Sequence, residues 1–168
     1  SYHRNAIDKR NFQFRLCDTI EDIKEGANNL VLSWDDNVEI TLGLPTDVSG
    51  TYALKSIDAA IDAAKNGKIH ALLTAPINKH NIAASVEGFS GHTGYLAKEF
   101  GNDVLMILAS DVLKVATVTG HVPISKVAEG ITEASINKAI VLLAQSLKRD
   151  FGVVKPRIAV LGLNPHAG

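Results

Sequence analysis

The chain has 168 residues, 46% of them apolar and 21% charged, which is enough apolar surface for at least one sizeable core and excludes disorder throughout. Lys and Arg number 17 against 18 Asp and Glu, a net charge of −1, and no basic run is dense enough to track a phosphate backbone, so nucleic acid is not an expected partner. No apolar run approaches the roughly 20 residues of a membrane span, and the opening SYHRNAIDKR is unlike a secretory apolar region, so a cytoplasmic protein with no membrane partner is expected.

Residues 29–43, NLVLSWDDNVEITLG, give two short apolar runs around an Asp-Asp-Asn turn, the pattern of a β-hairpin. Leu54, Ile57, Ile61 and Ala64 then recur at helical steps with Lys55, Asp58, Asp62 and Lys65 on the other face, and Asn66-Gly67 closes the pattern. Residues 68–75, KIHALLTA, ended by Pro76, read as a strand buried on both faces. A short helix is expected from Thr93 to Phe100, ended by Gly101, followed by strands over 103–110 and 113–120. The longest helix runs between Thr132 as N-cap and Gly152 as terminator, with Ile136, Ile140, Leu143 and Leu147 on a stripe that should lie against a sheet. A last buried strand, 157–163, delivers the chain to Asn164-Pro165-His166-Ala167-Gly168. The rhythm is α/β with a largely parallel sheet. The chain starts at Ser1 without Met and stops at Gly168 just past that strand; the expectation is a piece of a longer protein, with part of any site lying elsewhere.

Ligands of open α/β sheets bind beyond the carboxyl ends of the strands, and three of these strand ends carry polar loops bounded by Gly or Pro. Lys79 and His80 follow the first, Gly120-His121-Val122-Pro123 the second, and Asn164-Pro165-His166 the third. A fourth cluster, Phe89-Ser90-Gly91-His92-Thr93-Gly94, opens a predicted helix whose free N–H groups and Thr93 hydroxyl suit an anion. If their strands are neighbours, His121 and His166 converge, and two neutral imidazoles are half of a divalent metal site that still requires a third ligand. The ordinary role of an isolated His is a surface or hydrogen-bonded imidazole, and spacing alone does not choose between the two. Lys79 is open in the same way, either a solvated lysine or a phosphate contact, and His92-Thr93 either a helix cap with a bystander or a binding pair. Cys17 reads as an inert, partly buried thiol, and His3, His70 and His80 read as structural. Neither a GxGxxG nor a GxxxxGK[ST] motif is present, which removes the Rossmann fingerprint and the P-loop.

Four of these segments occur together in order: TAPINKH at 74–80, FSGHTGYLA at 89–97, VTGHVPISKV at 118–127 and LGLNPHAG at 161–168. In that order they resemble the signatures of the 4-hydroxythreonine-4-phosphate dehydrogenase family of pyridoxal phosphate biosynthesis, from about residue 50 onward. The resemblance implies an α/β fold similar to isocitrate and isopropylmalate dehydrogenases, with two domains and a cleft. Residues 1–81 would belong to the first domain and 82–168 to the second. It implies NAD-dependent oxidation, with decarboxylation, of 4-phosphooxy-L-threonine, in a homodimer with a shared active site. It also implies His92 and Thr93 as substrate contacts, His121 and His166 as ligands of a divalent metal (Zn, Mg, Mn or Co), and NAD or NADP as hydride carrier. The third metal ligand and further basic residues would lie beyond Gly168. The general base stays unassigned, Lys79 being the one nominee. Two other readings stand beside this one: a paralogous dehydrogenase of a phosphorylated four-carbon sugar acid, and a non-catalytic metal- or phosphate-binding module.

Overall fold

In the computed structural model, residues 13–34, 37–39, 41, 43–83, 85, 86, 88, 89, 91–101 and 104–166 are described. The chain divides into two compact units, one ending at Glu99 and the other beginning at Phe100.

The first unit opens with β1 (Arg15–Cys17), which pairs in parallel with β2 (Asn29–Val31), Leu16 opposite Leu30. Parallel partners need a crossover, supplied here by a 3-10 turn over Ile20–Asp22 and by the Asn29 side chain. Asn29 accepts from the Lys24 N–H through Oδ1 and donates through Nδ2 to the carbonyls of Lys24 and Ala27. This pairing corrects the expected hairpin over 29–43. Asn29–Val31 finds its partner upstream, and the described residues 37–39 and 41 form no strand. Part of the expected Asp-Asp-Asn turn lies outside the described residues.

Helix α1 (Asp47–Lys65) begins seven residues ahead of Leu54 because Thr46 and Ser49 form a reciprocal cap, the Thr46 Oγ1 accepting from the Ser49 N–H at 3.1 Å. It buries Ile57 and Ile61, each contributing about 1.5–3 kcal/mol by leaving water. A short helix, α2 (Lys79–Ala83), is seated on α1 at Gly50. There the absence of a side chain lets the Asn81 backbone come into direct contact. Asn81, itself buried, donates from Nδ2 to Ser49 Oγ at 3.0 Å, so its burial leaves the amide satisfied. Helix α3 (His92–Phe100) ends before Gly101, whose φ of +90° stops it.

The second unit holds an antiparallel pair, β3 (Ile107–Ala109) and β4 (Lys114–Ala116), joined by a turn in which the Ser110 N–H donates to the Leu113 carbonyl at 2.8 Å. After a 3-10 turn at Ile124–Lys126 come α4 (Val127–Gly130) and α5 (Glu133–Arg149). Thr132 caps α5 as its sequence position predicts, accepting from the Ser135 N–H at 3.1 Å. Of the expected stripe only Leu147 is buried, and α5 makes no broad contact with β3 or β4.

The described sheets are therefore two separate pairs, one parallel and one antiparallel, and not one largely parallel sheet. The runs 68–75 and 157–163 form no strand, with Leu73 98% and Leu161 90% exposed. Their apolar composition suits a buried strand, but no described strand lies alongside to accept their backbone hydrogen bonds. No helix among the described residues is long and apolar enough to cross a membrane.

Candidate functional site

Within the first unit, the residues after position 73 and the start of α3 converge. Gly91 is buried with φ +118°, a conformation that side-chain-bearing residues rarely adopt. A Cβ built there would lie 3.1 Å from Cε and 3.4 Å from Nζ of Lys79. The Lys79 stem thus lies against the Gly91 backbone, immediately before α3, which His92 and Thr93 open. Lys79 itself is placed by α2, whose start is set by Asn78. The Asn78 Oδ1 accepts from the N–H groups of His80 and Asn81 at 3.0 and 3.4 Å.

Half-buried His92 lines a cavity of about 380 Å³ together with Thr74, Ala75, Pro76 and Ile77. The strand-end loop and the helix start therefore share one concavity. A larger cavity of about 820 Å³, lined by Thr19, Ile20, Val31, Ala59 and Ala63 among others, contains none of the predicted site residues. The N–H groups of a helix's first turn, a hydroxyl and an ammonium together supply several hydrogen-bond donors. Such a set suits a phosphate or carboxylate.

The position of α3 is fixed by contacts that the sequence does not display. Tyr95 donates from its hydroxyl to Asp58 Oδ1 on α1 at 2.6 Å, and Phe89 stacks against its ring with centroids 5.6 Å apart. Burial pushes the Tyr95 hydroxyl up to about 12, with the hydrogen bond to Asp58 adding to the shift. At the far end of α3, Lys65 on α1 donates to Glu99 at 2.7 Å and holds that carboxyl below its usual range. Asp58 and Tyr95 are 37 residues apart. The only hint in the sequence is that Tyr95 falls one turn after His92 on the helical repeat.

The second unit carries the two other predicted histidines. His121 follows β4 with a φ of +55°, making it the only non-glycine residue in the left-handed region among the described residues. Such strain concentrates where a side chain must be aimed for a purpose. Two residues earlier, Thr119 packs its methyl where a Gly130 side chain would lie, which seats this loop against the end of α4. His166 lies in the turn after 157–163, where Pro165 folds back to within 3.3 Å of the Cβ position of Gly162. Both imidazoles are exposed. Among the described residues, no group of three or more His, Cys, Asp or Glu side chains comes together as a metal cluster. The donor chemistry fits a divalent cation in kind, two exposed nitrogen ligands on loops, with a third ligand still required. Cys17 is buried, its thiol near the Asp22 carbonyl and Asn29 Oδ1 at 3.6 Å, the environment of a structural thiol. His3 and Gly168 lie outside the described residues.

The chain is 38% identical over its whole length to a 4-hydroxythreonine-4-phosphate dehydrogenase of Bacteroides thetaiotaomicron, covering 46% of that protein. It is 44% identical over 71% of its length to the Chromobacterium violaceum protein of the same name, covering 37% of it. Among solved structures, a Salmonella typhimurium protein described as a 4-hydroxythreonine-4-phosphate dehydrogenase superposes with a TM-score of 0.80 at 29% identity, over 95% of this chain and 50% of the other. One from Burkholderia phymatum gives 0.78 at 28% identity, over 99% and 51%. These neighbours give the α/β class its support, and the chain spans about half the length of the relatives it matches. The model of the pyridoxal phosphate biosynthetic protein PdxA family matches residues 2–168, and the chain belongs to that family.

Proposed function

We propose that the protein to which this chain belongs oxidises 4-phosphooxy-L-threonine, with loss of CO₂, in pyridoxal phosphate biosynthesis. The observation that carries this reading is the convergence at Gly91. His92 opens α3 and lines a cavity, Thr93 follows it in the first turn, and the Lys79 stem packs against Gly91 just before them, a grouping that supports an anionic substrate at this helix start. Family membership supplies the identity of that anion. On this reading Thr93 and the first-turn N–H groups hold the phosphorylated substrate and His92 orients it. Lys79 is either a cationic anion contact or the general base, two roles that need opposite protonation states.

His121 and His166 would hold a divalent cation, Zn, Mg, Mn or Co. The left-handed backbone at His121 supports this, since it costs conformational energy that an idle surface residue has no reason to spend. When bound, the cation lowers the pKa of the substrate hydroxyl and polarises the emerging carbonyl, while NAD or NADP takes the hydride. The same reading includes a two-domain architecture like that of isocitrate and isopropylmalate dehydrogenases, a homodimer with a shared site, and a cytoplasmic location.

The test uses the protein expressed from its whole gene. His121→Ala and His166→Ala are expected to abolish turnover at chelator-controlled metal levels. For His166→Ala, stability should change by no more than about 0.5 kcal/mol, as for exposed side chains generally. Unchanged turnover refutes the ligand assignment. Equal or faster oxidation of a phosphorylated four-carbon sugar acid refutes the substrate assignment and leaves the rest of the chemistry standing.

A further inference from the structure

Helix α3 has nine residues, too few for a helix to hold its own place in water, so the position of its first turn is set by tertiary contacts. Two polar ties connect it to α1. The Lys65–Glu99 ion pair sits at the far end and is largely solvated, with 40% and 31% of the two side chains exposed, and such pairs contribute little. The Tyr95–Asp58 hydrogen bond is partly buried, is short at 2.6 Å, and ends on a carboxylate, the class of hydrogen bond that contributes most. It lies three residues beyond His92 and two beyond Thr93, one helical turn from the end that faces the cavity.

We propose that Tyr95 and Asp58 are positioning residues for the His92–Thr93 end of α3, acting through the hydrogen bond that pins α3 to α1. The proposal rests on the reading of His92 and Thr93 as substrate contacts. Neither Tyr95 nor Asp58 lines the cavity that His92 lines. Their effect on binding is transmitted by the placement of the helix start, where the Tyr95 N–H closes the first turn on the Gly91 carbonyl at 3.1 Å.

Tyr95→Phe, Asp58→Ala and the double variant, made in the protein expressed from its whole gene, test this through two readouts. Without any ligand, amide hydrogen exchange over 92–96 should speed up about fivefold to tenfold in each single variant and no further in the double, as expected of two partners in one bond. The KM for 4-phosphooxy-L-threonine should rise by a similar factor while kcat stays within about twofold, since positioning that acts on binding alone moves KM. Asp58→Asn keeps an acceptor for the Tyr95 hydroxyl but not its charge, and should fall between the parent protein and Asp58→Ala in both readouts. It also serves where a larger change prevents folding. Unchanged exchange in Tyr95→Phe and Asp58→Ala overturns the proposal, as do effects that multiply in the double variant. A KM that rises in His92→Ala but not in Tyr95→Phe also overturns it. If His92→Ala and Thr93→Ala leave KM unmoved as well, the substrate reading fails instead, and the exchange rates alone judge the clamp.

Discussion

The two units are held together differently. In the first, Cys17, Ile57, Ile61, Ala63 and Ile82 are all buried, drawn from β1, α1 and α2, and a buried amide is satisfied between two helices. In the second, Leu147 is the one buried apolar residue among those described, while Val112, Ile124 and Val154 are each more than 85% exposed. Its order comes from local devices: the capping box of α5, the turn between β3 and β4, and the C-terminal polar cluster around Asp150. The contrast extends to the proposed site. His92 and Thr93 are positioned by contacts more than thirty residues away in sequence, whereas His121 and His166 are positioned by their own loops.

If this contrast is right, its largest consequence is at Gly50. A methyl group there would overlap the Asn81 backbone, which cannot swing aside as a side-chain tip can. Gly50→Ala should cost about 3 kcal/mol, at the upper end for overpacking, even though Ala is the better helix former by about 1 kcal/mol. A fall in the urea midpoint at unchanged slope is the expected observation, and a stabilised variant would show that α2 is not seated on α1. In the second unit the comparable blow is to a cap. Thr132→Ala removes the acceptor for the Ser135 N–H and should cost about 1 kcal/mol, seen as faster amide exchange in the first turn of α5 with the α1 amides unaffected.

The smallest effect is electrostatic. Hydrogen bonds from Arg149 and Ser146 hold the Asp150 carboxyl at about 2, below its ordinary value. A depressed carboxyl contributes stability that is present above pH about 4 and is lost as the pH falls toward 2. Asp150→Asn should flatten that part of the acid limb slightly, since the pair is solvent-exposed and screened. An unchanged acid limb would remove Asp150 from the list of local devices.

Helices were the legible part of this sequence. The steps of Leu54, Ile57 and Ile61, the Thr132 cap and the stops at Gly101 and Gly152 all describe local hydrogen bonding and φ preference, and the structure follows them. The strands were legible only as apolar runs. A run reports which residues avoid water, not which neighbour completes a ladder, so the pattern gives 29–31 the wrong partner and puts 68–75 and 157–163 in a sheet they do not join. Helix α2 is too short to show an apolar period, although Asn78, an N-cap type, precedes it. For the site, the Gly91-His92-Thr93 start was visible as a motif. The Tyr95–Asp58 bond and the Lys79 crossing were not, because both depend on how α1, α2 and α3 meet.

That crossing has a steric consequence. A side chain at position 91 would meet Lys79 Cε at 3.1 Å on a backbone with φ of +118°, so the bare Gly91 backbone is what gives the lysine stem room to rest at the entrance to α3.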